Sequence, residues 1–300
     1  MPDGGGYWGA TTARTLNRAQ TDYDGVSHRV RPERPVFLIA EYIWWRLTLT
    51  ESRPTGGLPI KKCNMQRYFS QIEALTELGD ILRFSNEVCR DQGAIRRSYH
   101  MTPQFGAPNS MLTVVYADGY DPEWLEKYEQ SEFRLSDPIP ERTMEHGAML
   151  TWDDARTKWP NTPENEEYFK AMDEAGLIHG FGLPLFGPRG RDAYASFDFG
   201  IPISQISPQQ LGIVRSVPQA AHQRVCVLLD AKKTVPELSD RESEVLQWVA
   251  RGKSISSIAA ILGLSADTVK TYTKRIYAKL DASDRVGAIV TALKLGLVRV

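Results

Sequence analysis

The chain is poor in cysteine, and the patterns it lacks narrow its chemistry. Cys63, Cys89 and Cys226 are odd in number, widely spaced and free of any CxxC pair. That excludes a disulfide framework and fits a reduced, cytoplasmic protein. The histidines (His28, His100, His146, His179 and His222) show no HxxxH or HExxH spacing, so no metal and no cofactor is expected. No GxSxG elbow or paired catalytic carboxylates occur, so the chain reads as a non-enzyme. Long apolar runs are missing too. The most apolar stretch, Pro35 to Thr50, is broken by Glu41 and Arg46 and is too short to span a bilayer. It also lacks the basic start and cleavage site of a signal peptide.

Charge is scarce only globally. The net charge is −1 over 300 residues, yet 236–300 holds 10 Lys and Arg against 7 Asp and Glu, while 65–235 holds 17 against 24. A basic end on an acidic body implies different partners for two parts. Three hundred residues suffice for two domains. Residues 1–64 begin glycine-rich and polar and read as a poorly ordered extension or a mis-assigned start. A start at Met65 would leave 236 residues.

From Met65 to about Arg96, apolar residues near helical spacing (Tyr68, Ile72, Leu75, Leu78, Ile81, Leu82, Phe84) predict one or two helices packed on a sheet. Met111 to Tyr116 is a β-branched strand ending at Asp118-Gly119. Glu164 to Ala175 is a helix closed by Gly176. Gly180 to Phe199 is a hairpin turning at Gly187-Pro188-Arg189-Gly190. Its glycines are spaced wrongly for a dinucleotide loop, and no helix follows. Ser207-Pro208 opens a last amphipathic helix to about Leu229, to pack on the sheet or on a second subunit. The layout predicts an α+β fold: an α/β/α sandwich with an antiparallel sheet.

Within this part, residues 120–138 carry the most chemistry. Asp121-Pro122 is a helix start, since Asp accepts from free N–H groups and Pro at the first position loses no needed donor. Trp124 and Tyr128 then share one helix face. Asp137, held before Pro138, is kept out of the helical region. Indole donor, hydroxyl and carboxylate together suit a small ligand with an apolar body, a carbonyl and an amide N–H. Taken alone, an aromatic pair at this spacing is more often core packing, and Asp-Pro a turn.

Residues 238–300 read differently. Ser239 and Glu242 form a capping box for a helix carrying Leu246 and Val249 and ended by Gly252. Ile255 to Leu262 is a second helix, Gly263-Leu264-Ser265 a turn, Ala266 to Leu280 a third helix, and Asp284 to Leu295 a fourth. Two helices joined by a three-residue glycine-containing turn predict a helix-turn-helix. Thr268, Lys270, Thr271, Lys274 and Arg275 would face double-stranded DNA, the cations neutralising phosphates and the threonines meeting bases. Val269, Ile276 and Leu280 form the buried stripe.

Both halves resemble one family. Tyr120, Trp124, Tyr128, Asp137-Pro138 and Trp152, at these separations, resemble the autoinducer-binding domain of LuxR-family quorum-sensing regulators. Leu238, Arg241, Glu242, Leu246, Gly252, Ile258, Ala259, Leu262, Ser265, Thr268, Val269, Lys270, Lys279, Leu280 and Arg285 match that family's DNA-binding pattern. Tyr272 departs from it, where many members carry His. Response regulators share such an output domain, but no acidic receiver cluster precedes residue 235. The resemblance implies an autoinducer-binding domain at 65–231, a linker at 232–237 and a DNA-binding domain at 238–300. It implies that an N-acyl-homoserine lactone donates its amide to Asp137 and accepts from Trp124 at the lactone carbonyl. Tyr120 and Ser196 would lie near the acyl carbonyl, Tyr128 and Trp152 would wall the pocket, and Pro138 and Gly180 would shape it. Glu242, Leu246 and Gly252 would be structural. A homodimer would bind a near-palindromic promoter site, meeting RNA polymerase when it activates. The alternatives are a regulator tuned to a non-lactone ligand or none and, less well supported, a lactone- or amide-hydrolysing enzyme.

Overall fold

The structure, a computed structural model, describes residues 65–299. The expectation for residues 1–64 lies outside the described residues. Five strands form one antiparallel sheet: β1 (Arg96–Met101), β2 (Val114–Asp118), β3 (Leu150–Thr151), β4 (Phe181–Leu185) and β5 (Ala193–Asp198). Their order is β2-β1-β5-β4-β3. The β4–β5 hairpin is the one expected, with Phe181 opposite Phe197 and Leu185 opposite Ala193. Arg189 and Gly190 make its turn at φ 59° and 70°.

The central strand is where the sequence reading is corrected. Helical structure stops at Asp91, and Arg96–Met101 is a strand between β2 and β5. Its residues, RRSYHM, carry no period-two apolar signal. They are buried because they are paired. Arg96 bonds Asp198 at 2.5 Å, Arg97 bonds Asp118 and the Ala94 carbonyl, and His100 Nε2 meets Ser98 Oγ at 2.9 Å. The next strand also starts later than expected, at Val114. Thr113 is held in a turn by its N–H on the Ser110 carbonyl (2.9 Å) and its hydroxyl on the Pro108 carbonyl (3.0 Å).

Helices α1 (Met65–Ala74), α2 (Leu78–Asp91) and α8 (Pro208–Ala231) form one layer, meeting the sheet through α2 and α8. Ile81, Val214 and Val217 are buried there. The other layer holds α3 (Pro122–Glu129), α4 (Ser131–Leu135), α5 (Ile139–His146), α6 (Trp152–Thr157) and α7 (Pro163–Glu174). Its core joins Trp124, Trp152, Tyr168, Phe169 and Tyr194. The sandwich is therefore α/β/α, as the element order implied.

Four helices follow: α9 (Asp240–Ala250), α10 (Ile255–Leu262), α11 (Ala266–Lys279) and α12 (Arg285–Leu295). Each start is capped as its sequence dictates, by Ser239, Ser254, Ser265 and Asp284. Gly263 closes α10 in the left-handed region at φ 65°, where glycine carries no Cβ penalty. Val245, Leu246, Ile258, Val269, Ile276 and Leu280 share one core. Glu242 accepts from Ser239 N at 2.8 Å and from Lys279 Nζ at 2.6 Å, locking α9 to α11. The Lys294 carbonyl, in the last turn of α12, accepts from Gln104 Nε2 at 3.1 Å and Lys233 Nζ at 3.3 Å.

Candidate functional site: a polar cradle on an aromatic sheet face

Local sequence rules place the first groups. Asp121 caps α3 by accepting from Glu123 N at 2.8 Å, and Pro122 occupies the first helical position. The helix then presents Trp124 and Tyr128 together, their rings 6.4 Å apart and 30° from parallel. Pro138 sits at the cap position of α5, which sets Asp137 over that helix's first turn. Asp137 Oδ1 accepts from Ile139 N at 2.9 Å, and Oδ2 accepts from the Tyr128 hydroxyl at 2.8 Å. A second hydroxyl, from Tyr168, lies near this carboxyl. A carboxylate offers about four lone-pair positions, so beyond these two bonds it can accept from a further donor such as an amide N–H.

The sheet supplies the opposite wall. Ser98 on β1 and Ser196 on β5 are register partners, and Gly182 on β4 pairs with Ser196. The Tyr120 hydroxyl lies near both serines, and the Tyr194 hydroxyl lies near Ser196. Trp152, 5 % exposed, lies over Gly180, where an added Cβ would stand 2.2 Å from Trp152 Cζ2. Only glycine lets that indole lie so close. Trp152 Nε1 lies near the Tyr194 hydroxyl but makes no well-formed hydrogen bond, and neither does Thr143 Oγ1 beside Gly182. Two buried donors without acceptors favour a ligand bearing carbonyl oxygens.

Burial dominates the electrostatics. It pushes the Asp137 carboxyl up to about 6, although Ile139 N, both tyrosine hydroxyls and Arg134 pull the other way. Burial and then the Asp137 charge hold the Tyr128 and Tyr168 hydroxyls well above the usual phenol range, and they remain donors. Burial brings Tyr120 to about 12.

Tyr120, Trp124, Tyr128, Asp137, Trp152 and Ser196 thus converge, with Pro138 and Gly180 at its edge. The sequence reading missed Ser98, His100, Thr143, Tyr168 and Tyr194. Ser98 and His100 went unseen because β1 itself was unread; their i, i+2 spacing was the available signal. Tyr194 and Ser196, also two apart, lie on the expected hairpin. Nothing local marks Thr143 or Tyr168.

On α11, Lys270, Thr271, Lys274 and Arg275 are exposed and Thr268 is half-buried. Lys274 and Arg275 enter no ion pair among the described residues, whereas Lys270 meets Asp267 at 3.1 Å. Thr271 Oγ1 donates to the Asp267 carbonyl at 2.9 Å, leaving its methyl and lone pairs. Glu242 and Leu246 are buried, and Gly252 has φ 78°. Among the described residues no helix is long and apolar enough to cross a membrane.

A sandwich with a polar cradle on one sheet face, followed by a helix-turn-helix domain, defines a ligand-responsive DNA-binding regulator. Known proteins agree. Residues 78–225 match the family model described as an autoinducer binding domain, and residues 236–292 match that of bacterial regulatory proteins of the luxR family. The quorum sensing-dependent transcriptional regulator RpaR of Rhodopseudomonas palustris is 32 % identical over 191 residues, covering 62 % of this chain and 76 % of the relative. The transcriptional activator PhzR of Pseudomonas fluorescens is 28 % identical over 192 residues, with 62 % and 76 % covered. Escherichia coli SdiA shares the fold, with a TM-score of 0.58 at 22 % identity over 78 % of this chain and 97 % of that one. The chain belongs to the LuxR family of quorum-sensing transcriptional regulators, and it is a regulator rather than an enzyme.

Proposed function

We propose that this regulator binds an N-acyl-homoserine lactone in the cradle and, as a cytoplasmic homodimer, binds a near-palindromic promoter site. The observation that carries this is Asp137: a buried carboxyl that accepts from Ile139 N and the Tyr128 hydroxyl and can accept from one further donor, in a site that also holds the orphaned donors of Trp152 and Thr143. The ligand amide donates to Asp137. Trp124 donates to the lactone carbonyl. Tyr120 and Ser196 meet the acyl carbonyl, Tyr128 and Trp152 wall the ligand, and Pro138 and Gly180 set the shape. Residues 65–231 form the sensor, 232–237 the linker and 238–300 the output domain. Lys270, Lys274 and Arg275 contact phosphates, and Thr268 and Thr271 contact bases. Glu242, Leu246 and Gly252 hold the output domain in shape. A ligand that binds only the folded sensor stabilises it, and half-sites lie about one helical turn apart. Where it activates transcription, the bound dimer meets RNA polymerase.

A non-lactone acyl ligand is the second reading. SdiA, which shares the fold, has been solved in complex with octanoyl-rac-glycerol. The test is to titrate the full chain onto a near-palindromic duplex with N-acyl-homoserine lactones or with 1-octanoyl-rac-glycerol. The proposal expects lactone to tighten binding in a two-protomer complex. Response to the glycerol ester alone supports the second reading.

A further inference from the structure

One buried titratable group on the cradle has no part in the roles assigned above. His100, 5 % exposed, projects from β1 on the same face as Ser98, with its Nε2 2.9 Å from Ser98 Oγ. Its imidazole stands edge-on to Tyr128 (centroids 6.0 Å, 79°) and to Tyr194 (5.0 Å, 87°). Tyr194 is also its register partner on β5. Tyr128 in turn reaches Asp137. The imidazole therefore sits between the two tyrosines that border the anchor.

Its position along the strand matters. Ser98 and its register partner Ser196 lie near the Tyr120 hydroxyl, where the acyl carbonyl is placed in the proposed function. Two residues on, at a strand rise of roughly 3.3 Å each, His100 lies ~7 Å further along the same face. A tail that leaves the carbonyl along β1 meets an imidazole flanked by phenols, where an aliphatic wall would suit a plain alkyl chain. The ring is neutral, since burial, with Arg134 adding to it, holds its pKa down at about 3. A neutral imidazole has one donor and one acceptor nitrogen, and Ser98 engages one of them.

We propose that His100 is the residue that reads the signal's tail, selecting an acyl chain that carries a hydroxyl or carbonyl oxygen ~7 Å from the acyl carbonyl over an unfunctionalised chain of equal length. This rests on the lactone reading of the cradle. An alkyl chain covers the imidazole without pairing it, whereas an oxygen at that depth keeps the ring satisfied. One such buried hydrogen bond corresponds to roughly tenfold or more in affinity.

The experiment measures binding of N-(6-hydroxyhexanoyl)- and N-heptanoyl-homoserine lactone to the full chain, as wild type, His100→Leu and His100→Asn. Melting without ligand checks that each variant is folded. The expected result is a wild-type preference of about tenfold for the hydroxylated lactone. Leucine abolishes that preference while leaving heptanoyl binding no weaker, and asparagine, which keeps a polar atom near the Nδ1 position that Ser98 leaves open, preserves it. A wild-type preference for the heptanoyl lactone, or an unchanged preference in His100→Leu, overturns the inference while leaving the lactone reading intact. If wild type binds neither lactone, the reading of the cradle fails and this inference fails with it.

Discussion

The Tyr128 hydroxyl donates to Asp137 Oδ2 at 2.8 Å, tying the helix that carries the aromatic pair to the buried carboxyl beyond it. Of this pair Asp137 is the group whose protonation can change near neutral pH, since burial pushes its carboxyl up to about 6.

The first prediction is the resulting pH dependence. Folding raises the Asp137 carboxyl from 3.8 to about 6. A raised carboxyl means that its ionised form is penalised in the folded state. The penalty is full above pH 6, shrinks as pH falls through that value, and is gone below the unfolded value. Two units correspond to about 3 kcal/mol. Melts of ligand-free protein from pH 7 to pH 4 should therefore show the wild type gaining stability relative to Asp137→Asn. Ligand binding runs the other way. An amide donor favours the ionised form, so affinity should fall below pH 6 by up to about tenfold per unit, and Asp137→Asn should lack that dependence.

Gly180 and Trp152 give a packing test. A Cβ at Gly180 would meet the indole at 2.2 Å, with the Gly180 carbonyl also accepting from Trp152 N at 2.9 Å. Gly180→Ala should cost about 1–3 kcal/mol in urea denaturation through overpacking. Combining it with Trp152→Leu should cost less than the two changes summed, because the smaller side chain relieves the clash.

The output domain has its own clamp. Glu242 is buried, accepts from Ser239 N and pairs with Lys279 across helices. The Lys279 pairing, more than any other contact, holds its carboxyl below the usual glutamate range. Its contribution is present above the unfolded value of 4.5 and is lost as pH falls through the folded one. Glu242→Ala should destabilise the protein by about 1–2 kcal/mol, as losing a helix cap does, and Glu242→Gln by less.

On α11 the exposed Lys274 and the half-buried Thr268 separate two kinds of contact. Lys274→Ala should weaken binding to specific and random duplexes alike and lower the salt slope by about 1. Thr268→Ala should instead change the preference among operator variants, read by fluorescence anisotropy across a panel of duplexes.

Much of the architecture was legible in the residues themselves. Capping chemistry placed α3, α8, α9 and α11, because Asp121, Ser207, Ser239 and Ser265 each satisfy a backbone donor locally. The glycines at 187 and 190 marked the hairpin turn. The central strand was illegible because its polar residues are buried through distant partners, Arg96 with Asp198 and Arg97 with Asp118, and such pairings leave no periodic trace. The cradle was half legible for the same reason. Trp124, Tyr128 and Asp137 lie close together in sequence, on α3 and just after α4, whereas Ser98, His100 and Tyr194 join them only through strand register.

The most direct test of the account is mass spectrometry of ligand extracted from full-length protein expressed with a mixture of N-acyl-homoserine lactones. The wild type should retain one lactone near a one-to-one ratio, and folded Asp137→Ala should retain almost none. No lactone on the wild type, or equal retention by both proteins, would contradict the assignment of Asp137 as the anchor of the signal.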